Sequence, residues 1–294
     1  MRALTVGLLA LALGMPSGRV AAAEKLKVIA TTTDLQALVL AVGGGRVEVE
    51  SIAAPNQDPH SIELKPTQLA RLRSAALVVR IGLDHEPWLA HAQTDAPVLD
   101  VSGGVRLLQA ETPRLRAERQ AHVHAYGNTH YWLDPENARP ITAAILGALV
   151  KLRPTDRAHF EAHRDDFLRK LTPRLQGWTA ALAPYRGIKV VVIHDSWAYF
   201  ADRFGLAIVA AAEPTPGVPP SPAELASLFS RMRQAGVRLV IADPHSSPAL
   251  VGQVADRGGA RAVTLVPSVG ADPAASDYLS MFELNVQRLL GALR

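Results

Sequence analysis

Short apolar runs rich in Val, Ile and Thr alternate with amphipathic helical patterns in two separate series along this chain. That rhythm restricts the fold more than any other feature of the sequence. From residue 25 to 100 the order is "KLKVIATTT", "DLQALVLAVG", "VEVESIAA", "PTQLARLRSA", "ALVVRIGL" and "APVLDVS". Strand and helix patterns that alternate with short connections build parallel βαβ units. Residues 101 to 129 lose the rhythm, and it returns at "ENARPITAAILGALVKL". A second series follows from 188: "KVVVIHDS", "AYFADRFG", "LAIVAAA", "SPAELASLFSRMRQAG", "RLVIADP", "PALVGQVADRGG", "RAVTLVP" and a terminal "DYLSMFELNVQRLLGALR".

Between the two series, Pro154 opens a long pattern in which Phe160, Phe167, Leu171, Leu175 and Trp178 recur at helical spacing. Proline is tolerated in a first helical turn, so this segment reads as one helix of about 30 residues, bent at Pro173. A helix of that length can act as a strut between lobes and would limit hinge closure. Gly205, Gly236 and Gly258 fall where helix C-caps are expected, and Ser221 with Glu224 has capping-box spacing. The expected organisation is an α/β chain of two lobes with parallel sheets: residues 24–150, a linking helix over 151–187, and residues 188–294. No internal repeat is strong enough to indicate duplication, although "DPHS" occurs at 58–61 and again at 243–246.

The N-terminus sets the compartment. Met1-Arg2, the apolar stretch from Ala3 to Leu13 and Ala21-Ala22-Ala23 before Glu24 have the order of a cleavable secretory signal, too short to span a bilayer. The expected mature chain starts at Glu24 and has 271 residues, enough for two lobes with cores of their own. Later residues offer no membrane-spanning run, and there is no Cys for a lipid anchor, so a soluble, exported, periplasmic protein is expected. Absence of Cys also excludes disulfides and thiolate chemistry, and leaves His and carboxylates for any soft-metal site. Of 31 Lys and Arg, Arg2 and Arg19 lie in the export segment; the remaining 29 face 27 Asp and Glu, a net charge of about +2 that gives no electrostatic case for nucleic acid.

Three of the ten histidines occupy site-forming positions. His60 lies in the turn-rich "APNQDPHSIELKP" after a strand, and His194 ends the apolar "KVVVI". Ligand sites in α/β lobes prefer the carboxyl ends of parallel strands. His130, in "NTHYWLDP", precedes a helix that starts near Pro135. Three imidazoles and one oxygen suit zinc, yet a solvated loop residue and satisfied core histidines are equally consistent with these positions, and spacing does not decide. His159 and His163 stand at i and i+4 on the strut helix, where a solvated face is the plainer reading. His85 and His91, flanking "EPWL", are taken as non-ligands.

Four segments carry a resemblance. "DPHSIELKPTQLARLRSAALVVRIGLDHEPWL", "HYWLDPENA", "VVIHDSWAYFADRFGL" and "DYLSMFELNVQRLLGAL" resemble, in order and across nearly the whole mature chain, the zinc and manganese solute-binding proteins of bacterial ABC importers. The resemblance implies two Rossmann-like lobes on either side of a backbone helix, with an ion held at their interface by His60, His130 and His194. It implies a monomer that delivers the ion to a membrane permease and its ATPase. The fourth ligand departs from the family pattern, because the segment "TLVPSVG" that commonly carries an aspartate holds Val266 and Pro267. Replacements are Glu213, Asp243 with His245, Asp272 or Asp277, or a water. His122 and His124 in "HVHAYGNTH" resemble a very short form of the family's His-rich loop, or are two solvated histidines.

Imidazole at the third position and the missing aspartate favour Zn(II), with Mn(II) as the alternative ion. A zinc hydrolase also uses three protein ligands, but "HExxH" is absent and nothing singles out Asp195 or Glu213 as its base, so no enzyme is expected. An exported adhesion or interaction protein on the same fold is a third class, since fold does not fix function.

Overall fold

The computed structural model describes residues 24–92, 94–108, 127–213 and 218–294. The expected export segment and the His122–His124 pair lie outside them. Each series of the sequence forms one four-stranded parallel sheet. The first has the order β2-β1-β3-β4, from β1 (Leu26–Ala30), β2 (Val47–Ser51), β3 (Leu77–Arg80) and β4 (Val98–Asp100). The second repeats it as β6-β5-β7-β8, from β5 (Lys189–Val192), β6 (Ala207–Ala211), β7 (Leu239–Ala242) and β8 (Arg261–Thr264). The same strand order in both lobes places the carboxyl ends of β1 and β3, and of β5 and β7, at the centre of each sheet.

Helices cover these sheets for reasons visible in their sequences. In α1 (Thr33–Gly43), Leu35, Leu38, Val39 and Val42 are fully buried, the i, i+3, i+4, i+7 stripe of a helix facing a core. Thr32 caps it, accepting from the Leu35 N–H at 3.3 Å. The first lobe adds α2 (Pro66–Ser74) and α3 (Ala138–Leu152). The second has α5 (Ala198–Phe204), α6 (Pro222–Ala235), α7 (Pro248–Gly258) and α8 (Tyr278–Leu293). The Ser221–Glu224 capping box forms as expected, and Gly205 and Gly236 end their helices in left-handed conformation.

The third expected cap is one residue off. Gly259, at φ +66°, ends α7, whereas Gly258 lies inside the helix. A Cβ at Gly258 would meet the Met232 side chain at 2.1 Å, so that glycine is needed for close approach to α6 rather than for a turn.

The strut helix, α4 (Arg157–Leu182), is entered through a 3-10 turn at Pro154–Asp156 and carries Pro173 in its interior. Its buried residues Phe160, Phe167, Leu171, Trp178 and Leu182 belong to one continuous core that also holds Val28 and Val79 of the first sheet and Val190 and Ile241 of the second. The helix is thus built into a core shared by both lobes. Apolar burial at roughly 25 cal/mol per Å² acts along this whole seam and opposes separation of the lobes.

A buried carboxylate crosses the seam. Asp34, in the first turn of α1, is fully buried and accepts from the Val269 N–H at 3.0 Å, in the segment after β8. Burial pushes its pKa up to about 7, with the Val269 N–H among the groups that pull it back. Between pH 4 and 7 the folded protein therefore holds a proton that the unfolded chain has released. Stability falls as pH rises through that window and levels off above about 7. Urea titrations of Asp34→Asn, which keeps an acceptor for Val269, are expected to lack this decline, which for the parent chain is on the order of a few kcal/mol.

Candidate metal centre

His60, His130 and His194 converge: each presents one ring nitrogen, and the three nitrogens lie within 4.8 Å of one another. This is the one such group among the described residues. His60 reaches the site from the loop after β2. Asp58 pins that loop by accepting from the His60 N–H at 2.9 Å and from the Ser61 hydroxyl at 2.9 Å. Trp88 Nε1 donates to the Pro59 carbonyl at 2.8 Å. His194 lies just beyond β5, between Glu213 after β6 and Asp243 after β7, all at the carboxyl ends of adjacent parallel strands.

The ring nitrogens of His60 and His130 have assignable roles. His60 Nδ1 lies 3.1 Å from the His85 carbonyl, which can only accept, so Nδ1 carries the hydrogen. Asn128 Nδ2 donates to the Asp195 carbonyl at 2.8 Å, which turns Asn128 Oδ1 toward His130. That oxygen accepts from the His130 backbone N–H at 3.0 Å and from its Nδ1 at 3.1 Å. Both rings therefore aim an Nε2 lone pair at the same place, and the two Nε2 atoms are 3.4 Å apart. Two acceptors at that distance repel unless a proton or a metal cation sits between them. Nitrogens bound at about 2.0–2.1 Å to one tetrahedral zinc are separated by about 3.3–3.4 Å, so the pair fits a shared ion.

His194 Nδ1 is 3.8 Å from Glu213 Oε2. Burial opposes charge on this ring, but Glu213, Asp243 and Asp58 outweigh it and raise its pKa. A cavity of about 30 Å³ lies between the lobes, lined by residues 55–59 together with His130, Trp132, His194, Asp243 and His245. It has room for an ion's remaining water ligand.

Of the other expected candidates, Glu213 lies beside His194, Asp243 and His245 line the same cavity, and the rest are engaged elsewhere. Asp243 Oδ1 accepts from Trp197 Nε1 at 2.8 Å, and its Oδ2 is 4.0 Å from His245 Nε2. Asp272 accepts from Arg288 at 2.5 Å and from the Ala274 N–H at 2.9 Å. Asp277 caps α8 by accepting from the Leu279 and Ser280 N–H groups. Val266 is buried, with its N–H and carbonyl both bonded to the Asn285 side chain at 2.8 Å. His159 and His163 lie against each other on α4, with ring centroids 4.3 Å apart and planes tilted by 45°.

Sequence reasoning missed two contributors. His85 is fully buried against the centre, its ring 4.2 Å from His60 and 5.4 Å from His130, with Nδ1 on Thr129 Oγ1 at 2.8 Å. Its place in the loop after β3 was the available signal. Asn128, two residues before His130, had no signal beyond its proximity.

Comparison with known proteins gives the family and the fold. A family model described as zinc-uptake complex component A, periplasmic, matches residues 28–292. The chain is 25% identical to the high-affinity zinc uptake system protein ZnuA of Yersinia pestis, over 82% of each chain. It is 27% identical to the protein of the same name from Paracoccus denitrificans, over 93% of each. A crystal structure of ZnuA superposes with a TM-score of 0.77 at 27% identity, covering 92% of this chain and 99% of that one.

Hydrogen bonds that orient a metal-binding imidazole are worth about 10- to 100-fold in affinity when removed. Asn128→Ala is expected to weaken divalent-metal binding by that factor in competition with a chelator, without abolishing it.

Proposed function

The chain belongs to the periplasmic zinc-uptake component A family, and from that premise we propose that it captures Zn(II) with His60, His130 and His194 and delivers it to an ABC importer. The observation that carries this reading is the convergence of three ring nitrogens within 4.8 Å, two of them Nε2 atoms 3.4 Å apart with a hydrogen-bond acceptor on the far side of each ring. Zinc is cargo here, so the protein's task is to bind it tightly outside the cytoplasmic membrane and release it on demand.

An all-imidazole donor set favours zinc over manganese, which prefers more carboxylate oxygen. Among the described residues the group of converging ligand atoms holds the three nitrogens alone, with Glu213 Oε2 3.8 Å from His194 Nδ1; we assign the fourth position to a water in the cavity. The division into residues 24–150, 151–187 and 188–294 assigns one face of the cleft to each terminal part. The ends of the lobes around that cleft are the surface offered to the permease, which works with an ATPase. Export through a cleaved segment ending at Ala23 would put the chain in the compartment of its family.

A competition titration of metal-free mature protein against a chromophoric chelator tests the reading. One tight zinc site is expected, resistant to excess Mn(II), with affinity reduced at least about 100-fold in each of His60→Ala, His130→Ala and His194→Ala. Displacement of zinc by manganese, or three variants that bind like the parent, would contradict it.

A further inference from the structure

The sequence "DPHS" occurs twice, and the two copies use their aspartates differently. In residues 58–61 the carboxylate is consumed by its own turn, accepting from His60 and Ser61. In residues 243–246 the turn closes without it: the Ser246 N–H donates to the Asp243 carbonyl, and the Asp243 N–H to Ser246 Oγ, both at 3.0 Å. The Asp243 side chain is left to point inward.

That side chain is 1% exposed, and Trp197 satisfies only Oδ1. Oδ2 is buried and has no hydrogen-bond partner. Leaving a carboxylate oxygen so placed is costly, and such groups normally face a donor or a cation. What lies before it, at 4.0 Å, is Nε2 of His245, whose side chain is 41% exposed at the mouth of the cavity. An oxygen and a nitrogen 4.0 Å apart need to close by about 0.6–0.7 Å to share a tetrahedral zinc, a shift that rotation of the exposed His245 ring supplies. The ring of His194 is 6.4 Å from that of His245, between it and the inner cluster.

We propose that Asp243 and His245 form a second, weaker zinc subsite on the rim of the cleft, which takes an ion from solvent and passes it inward to the three-histidine centre by ligand exchange at His194. The inference rests on the zinc reading of that centre. His245 is the exposed ligand, able to meet a hydrated ion. Asp243 supplies the negative charge that the inner centre lacks, and offsets part of the ion's charge while water is shed. The turn closed by Ser246 holds Asp243 inside the cavity wall and His245 at its mouth, so the transfer needs no movement of the lobes.

The experiment is a zinc titration of the full mature protein with stopped-flow measurement of zinc uptake, on the parent, His245→Ala and His60→Ala. The parent is expected to take two equivalents, one tight and one weak. His245→Ala, an exposed substitution that leaves the fold intact, is expected to lose the weak equivalent, to keep tight affinity within about threefold, and to fill the tight site at least about fivefold more slowly. His245→Gln should behave like His245→Ala. A parent that takes one equivalent, a weak equivalent that survives His245→Ala, or a tight site weakened more than tenfold by that change would each overturn the subsite. Retention of the tight equivalent by His60→Ala would contradict the three-histidine centre itself, whatever His245→Ala shows.

Discussion

The site depends on one segment, residues 127–135, being hydrogen-bonded to both lobes at once. Toward the first lobe, Tyr131 donates to the Ile81 carbonyl at 2.5 Å, and Thr129 meets His85. Toward the second, Trp132 Nε1 donates to the Pro267 carbonyl, Tyr278 to the Trp132 carbonyl and Tyr199 to the Asn128 carbonyl. Arg203 grips Asp134 with two nitrogens at 2.6 and 2.7 Å. Each buried hydrogen bond contributes about 1 kcal/mol net, and the charged pair more. Together they fix His130 relative to His60 on one side and His194 on the other. The three imidazoles are thus held in place by groups outside the cluster itself.

This arrangement bears on selectivity and release. Preorganised imidazoles, with hydrogens assigned to the outer nitrogens, suit a small tetrahedral ion and offer little to one that needs six oxygens. With α4 inside a shared core, wide opening of the lobes would expose apolar surface along the seam. Release is therefore expected through the loop carrying His60, which is anchored by side-chain contacts at Asp58 and Trp88 rather than by a strand.

Much of the architecture was legible because parallel strands announce themselves. After their first residues, runs such as "KVVVI" and "RLVIA" are apolar throughout, as strands covered on both faces must be, and the loops after them hold His194 and His245, while His60 follows the alternating "VEVES". The parts that were not legible depend on contacts distant in sequence. His85 looks ordinary beside "EPWL" until the fold packs it between His60 and Trp132. Asn128 matters through the carbonyl of Asp195, 67 residues away. Gly258 and Gly259 are indistinguishable as caps until Met232 is known to lie against the first. Likewise, the two "DPHS" turns are identical as strings and differ in where the carboxylate points.

The most direct test of the central claim is X-ray absorption at the zinc edge on protein loaded with one equivalent. The account predicts four-coordinate zinc with three imidazole nitrogens at about 2.0–2.1 Å and one oxygen. A shell dominated by carboxylate oxygen, or one with fewer than three imidazoles, would contradict it.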